Sequence, residues 1–246
     1  MRIDELTVGP VQTRCYVLAK EDGQDCIVID PGDEAKRIRR AAGDRKISAI
    51  LLTHGHFDHI GAVRELCTHE LHNSEFCDRC DQKAHKPFDS CNMAAVTQIK
   101  DLDSSSTMQN SELSAEAGKD DLSTTGFSQS TRIVIHELDA QMLGNPTLNA
   151  SIGLMGQQIT APEATDLVRE GDELELAGLK VKVLHTPGHT PGSVCYEIEG
   201  ELFTGDTIFE YGWGRTDLPG GNESDMVASL RRLSPLVRTM PMHAGH

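Results

Sequence analysis

Four residues able to bind a metal fall within six positions, in Thr53-His54-Gly55-His56-Phe57-Asp58-His59. The apolar run Ile50-Leu51-Leu52 precedes them and reads as the end of a buried strand, so two imidazoles leave one sheet edge with a single glycine between them. Gly55 permits a tight backbone path there, and Asp58 and His59 follow where a helix would begin. Nitrogen and carboxylate ligands at this density suit zinc, manganese or iron rather than a hard, all-oxygen site. The plainer alternative is surface histidines beside an Asp58 that caps the helix. Further polar groups follow turns or strands: His189 in His185-Thr186-Pro187-Gly188-His189-Thr190-Pro191-Gly192, and Asp206 in Phe203-Thr204-Gly205-Asp206. Pro-Gly turns and strand ends supply the rigidity that metal ligation demands.

The elements that must position these groups can be read from periodicity. Short strands are expected over Ile3–Val8, Cys15–Leu18 and Cys26–Ile29, the last stopped by Asp30-Pro31-Gly32. A helix is expected over Asp33–Ala42, with Ala35, Ile38 and Ala42 on one side and Gly43 as its C-cap, then a strand over Ile47–Leu52. Further on, Arg132–Ile135 reads as a strand, His136–Leu143 as helical and Asn145–Thr160 as a loop. Glu173–Leu176 and Leu179–Leu184 form a hairpin around Ala177-Gly178, and Ser193–Ile198 pairs with Leu202-Phe203 through Glu199-Gly200. Glu223–Leu233 closes the pattern as a helix with Met226, Leu230 and Leu233 on its apolar face. Strands alternating with helices give an α/β class with polar residues delivered at strand ends.

A chain of 246 residues supports one domain with one substantial core. Its formal charge of −15 disfavours nucleic acid as a partner. No apolar run long enough for a membrane span is present, and Met1-Arg2-Ile3-Asp4-Glu5 lacks the apolar stretch of a signal peptide, so the cytoplasm is the expected compartment. Seven cysteines, unevenly spread, read as reduced thiols rather than a disulfide framework. From Cys67 to Ser130 the composition turns polar, and this stretch is expected to be a disordered insertion interrupting the single domain, either lineage-specific or unremoved non-coding sequence. Cys77-Asp78-Arg79-Cys80 within it superficially resembles a zinc knuckle but lacks a second spaced pair and a small folded scaffold.

Taken together, His54-x-His56-x-Asp58-His59, the His185–Ser193 run and Phe203-Thr204-Gly205-Asp206-Thr207 resemble the metallo-β-lactamase superfamily, specifically its glyoxalase II (hydroxyacylglutathione hydrolase) branch. Gly214-Arg215-Thr216-Asp217-Leu218-Pro219-Gly220-Gly221 is similar to the equivalent stretch of small glyoxalase-like members. The resemblance covers Met1–Leu66 and Ile133–His246 and implies a four-layer αβ/βα sandwich with two metals at one edge. It implies that His54, His56 and His189 hold the first metal, that Asp58, His59 and His246 hold the second, and that Asp206 bridges both. It also implies two divalent ions, zinc first with iron or manganese as alternatives, and hydrolysis of a small-molecule thioester by a metal-generated hydroxide, with Asp58 orienting the hydroxide or accepting the proton of the water that forms it. The pattern departs at Met242-His243-Ala244-Gly245-His246, where the family has Pro-Gly-His-Gly and continues. A truncated C-terminus and a weakly filled second site are therefore expectations, with His243 as the register alternative.

Tyr211, Trp213 and Arg215 are candidates for substrate contact; equally, the aromatics read as a packed loop and Arg215 as an internal partner of Asp217. The rival enzyme is a mononuclear iron persulfide dioxygenase, a related family, using two histidines and one aspartate. The rival outside catalysis is an inactive or binding-only domain.

Overall fold

Period-two alternation in the strands decides which faces are covered and by what. A computed structural model describes residues 1–68 and 131–246. β1 (Arg2–Val8), β2 (Thr13–Ala19), β3 (Asp25–Ile29), β4 (Lys46–Leu51), β5 (Arg132–His136) and β6 (Asp166–Val168) form one sheet in that order. Its first two pairings are antiparallel and the rest parallel. In β2, Cys15, Val17 and Ala19 meet one cluster while Tyr16 and Leu18 meet another, and β3 repeats the split with Cys26 and Val28 against Ile27 and Ile29. The first cluster includes Ile38 and Ala42 of α1 (Ala35–Ala42) and Val63 and Leu66 of α3 (Val63–Thr68), which follows the short α2 (Phe57–Ile60). Gly43 caps α1 as expected, its N–H donating to the Arg39 and Arg40 carbonyls.

The second cluster is the interior between two sheets. After α4 (Ser151–Met155), β7 (Glu173–Leu176), β8 (Leu179–His185), β9 (Val194–Ile198) and β10 (Glu201–Gly205) run antiparallel, and β13 (Met242–Ala244) adds to β10 in parallel. Val181, Val183, Val194, Tyr196, Ile198 and Phe203 face the first sheet. Leu184, Cys195 and Leu202 turn outward to Leu233 of α5 (Glu223–Leu233). The layers are thus helix, sheet, sheet and helix, the four-layer αβ/βα sandwich expected. Both expected hairpin turns have positive φ at their two central residues, 50° and 71° at Ala177-Gly178 and 50° and 86° at Glu199-Gly200, which suits the twist of the strands they join.

Several expectations are corrected. Cys67 belongs to α3 rather than to the polar stretch; apart from Cys67 and Thr68, that stretch and its Cys77-Cys80 pair lie outside the described residues. His136 ends β5, and the expected helical segment is a 3₁₀ turn over Ala140–Gly144. The expected loop contains α4. On α5 the buried positions are Met226, Ser229 and Leu233, with Leu230 only partly covered, because the helix is rotated toward the His189 loop, where Ser229 Oγ donates to the Pro187 carbonyl (2.7 Å). No helix among the described residues is long and apolar enough to cross a membrane.

Where β5 and β8 end, the buried His136 ring stacks on His185, with centroids 4.1 Å apart and planes 11° from parallel. Burial first, and then the His185 ring, push His136 down to about 4. An unfolded histidine titrates near about 6.5, so between these values the unfolded state binds more protons and stability falls as pH falls. In chelated protein, melting temperature should therefore fall less steeply between about pH 7 and about pH 4 for His136→Leu than for the parent. Equal slopes in a thermal-melt series would show that His136 does not contribute.

Candidate metal centre

β4 stops at Leu51, and the segment beyond it is pinned by one buried carboxylate. Asp30, at the end of the neighbouring β3, accepts from Thr53 N (2.8 Å) through Oδ1 and from Thr53 Oγ1 (2.7 Å) through Oδ2. Since Thr53 Oγ1 has given its proton to Asp30, it can only accept from His54 Nδ1, 3.1 Å away. That leaves His54 Nε2 as the free donor atom. Asp30 Oδ2 also lies 3.1 Å from His59 Nδ1 and so orients the other ring. His189 is fixed by the same logic: the Arg215 carbonyl, 2.7 Å from Nδ1, can only accept, so Nε2 faces inward.

The inward atoms converge. His56 Nδ1 lies 2.8 Å from His189 Nε2, and donor atoms of His54, His56 and His189 all fall within 4.8 Å of one another. Asp58, His59 and His246 form a second such group, and His54, His59 and Asp206 a third that joins them. Asp206 stands between, with Oδ1 3.4 Å from His59 Nε2 and Oδ2 3.5 Å from His189 Nε2 and 3.6 Å from His246 Nε2. All seven residues singled out by sequence are brought together. Asp58 does not cap α2, whose N-cap is His56; its Oδ2 accepts from Thr13 Oγ1 (3.1 Å) and sits 3.3 Å from His246 Nε2.

The donor set fits divalent cations. His54 Nε2, His59 Nε2 and Asp206 Oδ1 are buried without a hydrogen-bond partner, a costly state for polar atoms unless something else meets them. Burial, reinforced by neighbouring imidazoles, holds His54 well below its ordinary range and pushes His56 down to about 3, so both stay neutral as ligation requires. Burial opposes charge on His59 too, but Asp206, Asp58 and Asp30 together hold it well above its ordinary range. Burial likewise works against ionised Asp58 and Asp206, yet the surrounding imidazoles, His59 foremost, keep both carboxyls below the usual range. The carboxylates at this spot draw positive charge toward themselves.

The C-terminal segment is tied down. Tyr16 Oη donates to the Ala244 carbonyl (2.6 Å), Gly245 N to the Gly205 carbonyl (2.9 Å), and Arg14 N to the Gly245 carbonyl (2.7 Å). A Cβ at Gly245 would come 2.3 Å from Asp206 Oδ1, so only glycine lets this segment pass so close. His243 is turned away, its Nε2 2.8 Å from Glu201 Oε2 and its ring stacked on Phe203, which removes it as the register alternative. Arg215 makes a two-point ion pair with Asp217 (2.6 and 2.7 Å), as the internal-partner reading expects. Tyr211 and Trp213 lie on the ribbon β11 (Ile208–Phe209) and β12 (Gly212–Trp213) and are 90% and 60% exposed, so they are not a packed loop.

Sequence reasoning missed Asp30, which it treated as a strand stop, and Asp139, which Gly55, Thr190 and Gly192 contact from three sides. An acidic residue ending an otherwise apolar strand was the available signal for Asp30. Asp139 carried none, because its donors are remote in sequence.

Comparison with known proteins agrees with this geometry. The family model for the metallo-beta-lactamase superfamily matches residues 8–72 and 126–239. The hydroxyacylglutathione hydrolase GloC of Haemophilus influenzae is 28% identical over 254 residues, covering 100% of this chain and 91% of the relative. Among solved structures, the BLEG-1 B3 metallo-beta-lactamase is 29% identical with a TM-score of 0.71, covering 100% of this chain and 91% of that one. TTHA1623 in a di-iron-bound form is 27% identical with a TM-score of 0.66, covering 99% and 91%. With the family model spanning most of its length and the four-layer fold in place, the chain belongs to the metallo-beta-lactamase superfamily.

Proposed function

We propose that this metallo-hydrolase cleaves small-molecule thioesters of the hydroxyacylglutathione type. His54, His56 and His189 hold one divalent cation, Asp58, His59 and His246 a second, and Asp206 spans the two. Zinc is the first choice of metal on its ligand preferences, with iron or manganese as alternatives that the same nitrogen and carboxylate set accepts. The observation that carries the reading is the convergence of donor atoms from four separate segments, residues 54–59, 189, 206 and 246, into contiguous groups linked through His54 and His59, with Asp206 in the linking group. The name of the Haemophilus relative supports the substrate class.

Bound cations would supply Lewis acidity and a water made acidic enough to attack near neutrality. Asp58, ionised and braced by Thr13, would orient the attacking water and accept its proton as the oxygen–carbon bond forms, then pass that proton to the departing sulfur as the carbon–sulfur bond breaks, giving a carboxylic acid and a thiol. Three buried thiols are poor competitors as nucleophiles: burial pushes Cys26 and Cys195 up to about 11 and holds Cys15 well above its usual range. These unpaired buried thiols also fit the cytoplasmic placement. Arg215 is engaged by Asp217, which leaves Tyr211 and Trp213 as the exposed groups beside the centre for substrate to meet. The second donor group favours this reading over a mononuclear dioxygenase, and the anchored C-terminal segment favours it over an inactive domain.

Mass spectrometry of the native protein should find about two divalent ions per chain, and chelation should remove thioesterase activity that added metal restores. A single iron accompanied by oxygen uptake would refute the assignment. His56→Ala should lower kcat/KM by about three orders of magnitude, the scale of losing several kcal/mol of charge stabilisation. His246→Ala should instead bring the metal content from about two toward about one per chain while the first ion stays bound; loss of both ions together would show that the two groups are not separable sites.

A further inference from the structure

His54 and His56 lie beyond β4 of the first sheet and His189 lies between β8 and β9 of the second, yet one side chain ties their loops together. Asp139 is fully buried beyond the end of β5. Its Oδ2 accepts from Gly55 N (3.2 Å) and from Thr190 Oγ1 (2.6 Å), and its Oδ1 accepts from Gly192 N (2.7 Å). Gly55 sits between two of the histidines, and Thr190 directly follows the third. Thr190 Oγ1 also lies 2.7 Å from Ser193 Oγ, which braces the loop internally. Asp139 is itself held by its backbone: its N–H donates to the His136 carbonyl (3.0 Å) and its carbonyl accepts from Met142 N (2.9 Å) in the 3₁₀ turn.

A buried carboxylate is costly unless hydrogen bonds offset its desolvation. Here all three of these donors come from the two ligand loops, so the offset exists only when the loops stand at one separation and orientation. The Asp58, His59 and His246 group is braced by different residues, Asp30 and Thr13. We infer that Asp139 is a positioning residue for the first metal group: it sets the spacing between the 54–56 and 189 loops and through it the affinity of the first cation. This rests on the reading above that these histidines hold a metal.

Asp139→Asn keeps the size but replaces one acceptor oxygen with a donor amide facing the Gly55 N–H. Thr190→Val keeps the Asp139 charge and removes only the hydroxyl arm to the His189 loop. Both variants, as full-length protein, are titrated with zinc against a chelating competitor, their metal-free melting temperatures are measured, and their cobalt-loaded forms are examined by visible absorption. The expected result is first-site zinc affinity lowered by about 10- to 100-fold in Asp139→Asn, less in Thr190→Val, with a changed cobalt spectrum and second-site binding retained. A residue with a merely structural role would lower the metal-free melting temperature and leave affinity and spectrum unchanged, and that outcome overturns the inference. Should Asp139→Asn not fold, Thr190→Val decides alone: weakened first-site binding supports the role, and parental affinity overturns it. If the parent protein takes up no zinc, cobalt, iron or manganese, the metal reading falls and Asp139's role with it. If the parent takes up two ions and both variants match it, only the role of Asp139 falls.

Discussion

An imidazole nitrogen buried among other imidazoles, with no donor or acceptor to meet it, is an uncompensated cost, and this fold concentrates such atoms at one edge of its paired sheets. His54 Nε2, His59 Nε2 and Asp206 Oδ1 are all in that state. Behind the cluster two of the rings are tightly mounted, His54 through Thr53 to Asp30 and His189 on the Arg215 carbonyl. The arrangement at His54 and His189 is one-sided: each of these two rings is held from behind with its other nitrogen turned into the cluster. Such one-sidedness is what preorganised ligation requires, since a ring free to turn would find water or a carbonyl instead.

The two sheets hold this edge together through reciprocal ties that cross their interface. Tyr196 of β9, buried in the inter-sheet core, donates to the Leu52 carbonyl just before the histidine run (2.8 Å). Tyr16 of β2, in the same core, donates to the Ala244 carbonyl just before His246. Each sheet thus fixes a ligand segment that belongs to the other. Val194 N adds a backbone bond to the Thr53 carbonyl (2.8 Å) across the same gap. Apolar packing between the sheets and the geometry of the donor cluster are therefore one problem: a shift of one sheet against the other would move His54 and His56 relative to His189, Asp206 and His246.

How much of this was legible depends on the range of the interaction. The continuous apolar run Cys26–Ile29 and the alternation of Leu179–Leu184 announce themselves because each is a local pattern, and the glycine turns at 178 and 200 announce their hairpins for the same reason. The donors in residues 54–59 were visible because four of them share one short stretch, and His189 and Asp206 because rigid turns or strand ends carry them. β13 and β6 were invisible: each is three residues long and exists because a neighbouring strand offers an edge to pair with. His246 was doubtful in sequence because its bracing comes from Tyr16, Arg14 and Gly205, none of them near it in the chain. Asp139 was missed for a like reason. A buried carboxylate that serves three remote donors has no signature in the residues beside it.

Charge accounts for the remaining feature, the ring of aspartates. Asp58 and Asp206 reach the donor cluster directly, while Asp30 and Asp139 lie behind it, after β3 and β5, and hydrogen-bond to the loops that carry the histidines. Four carboxylates balance the charge of two divalent cations when the histidines are neutral; burial keeps His54 and His56 neutral, and a bound cation would displace the proton that Asp206, Asp58 and Asp30 hold on His59. On the proposed reading the loaded centre is close to electroneutral, while the chain as a whole carries −15. Neither the centre's net charge nor the global field then draws in an anionic thioester. Recognition must instead come from local dipoles, from coordination at the cations and from contact with exposed side chains. The ribbon from Ile208 to Trp213 is placed for the last of these, since it starts two residues after Asp206 and ends two residues before the carbonyl that fixes His189. Exposed Tyr211 and Trp213 on it supply apolar faces whose attraction does not depend on the sign of the substrate's charge.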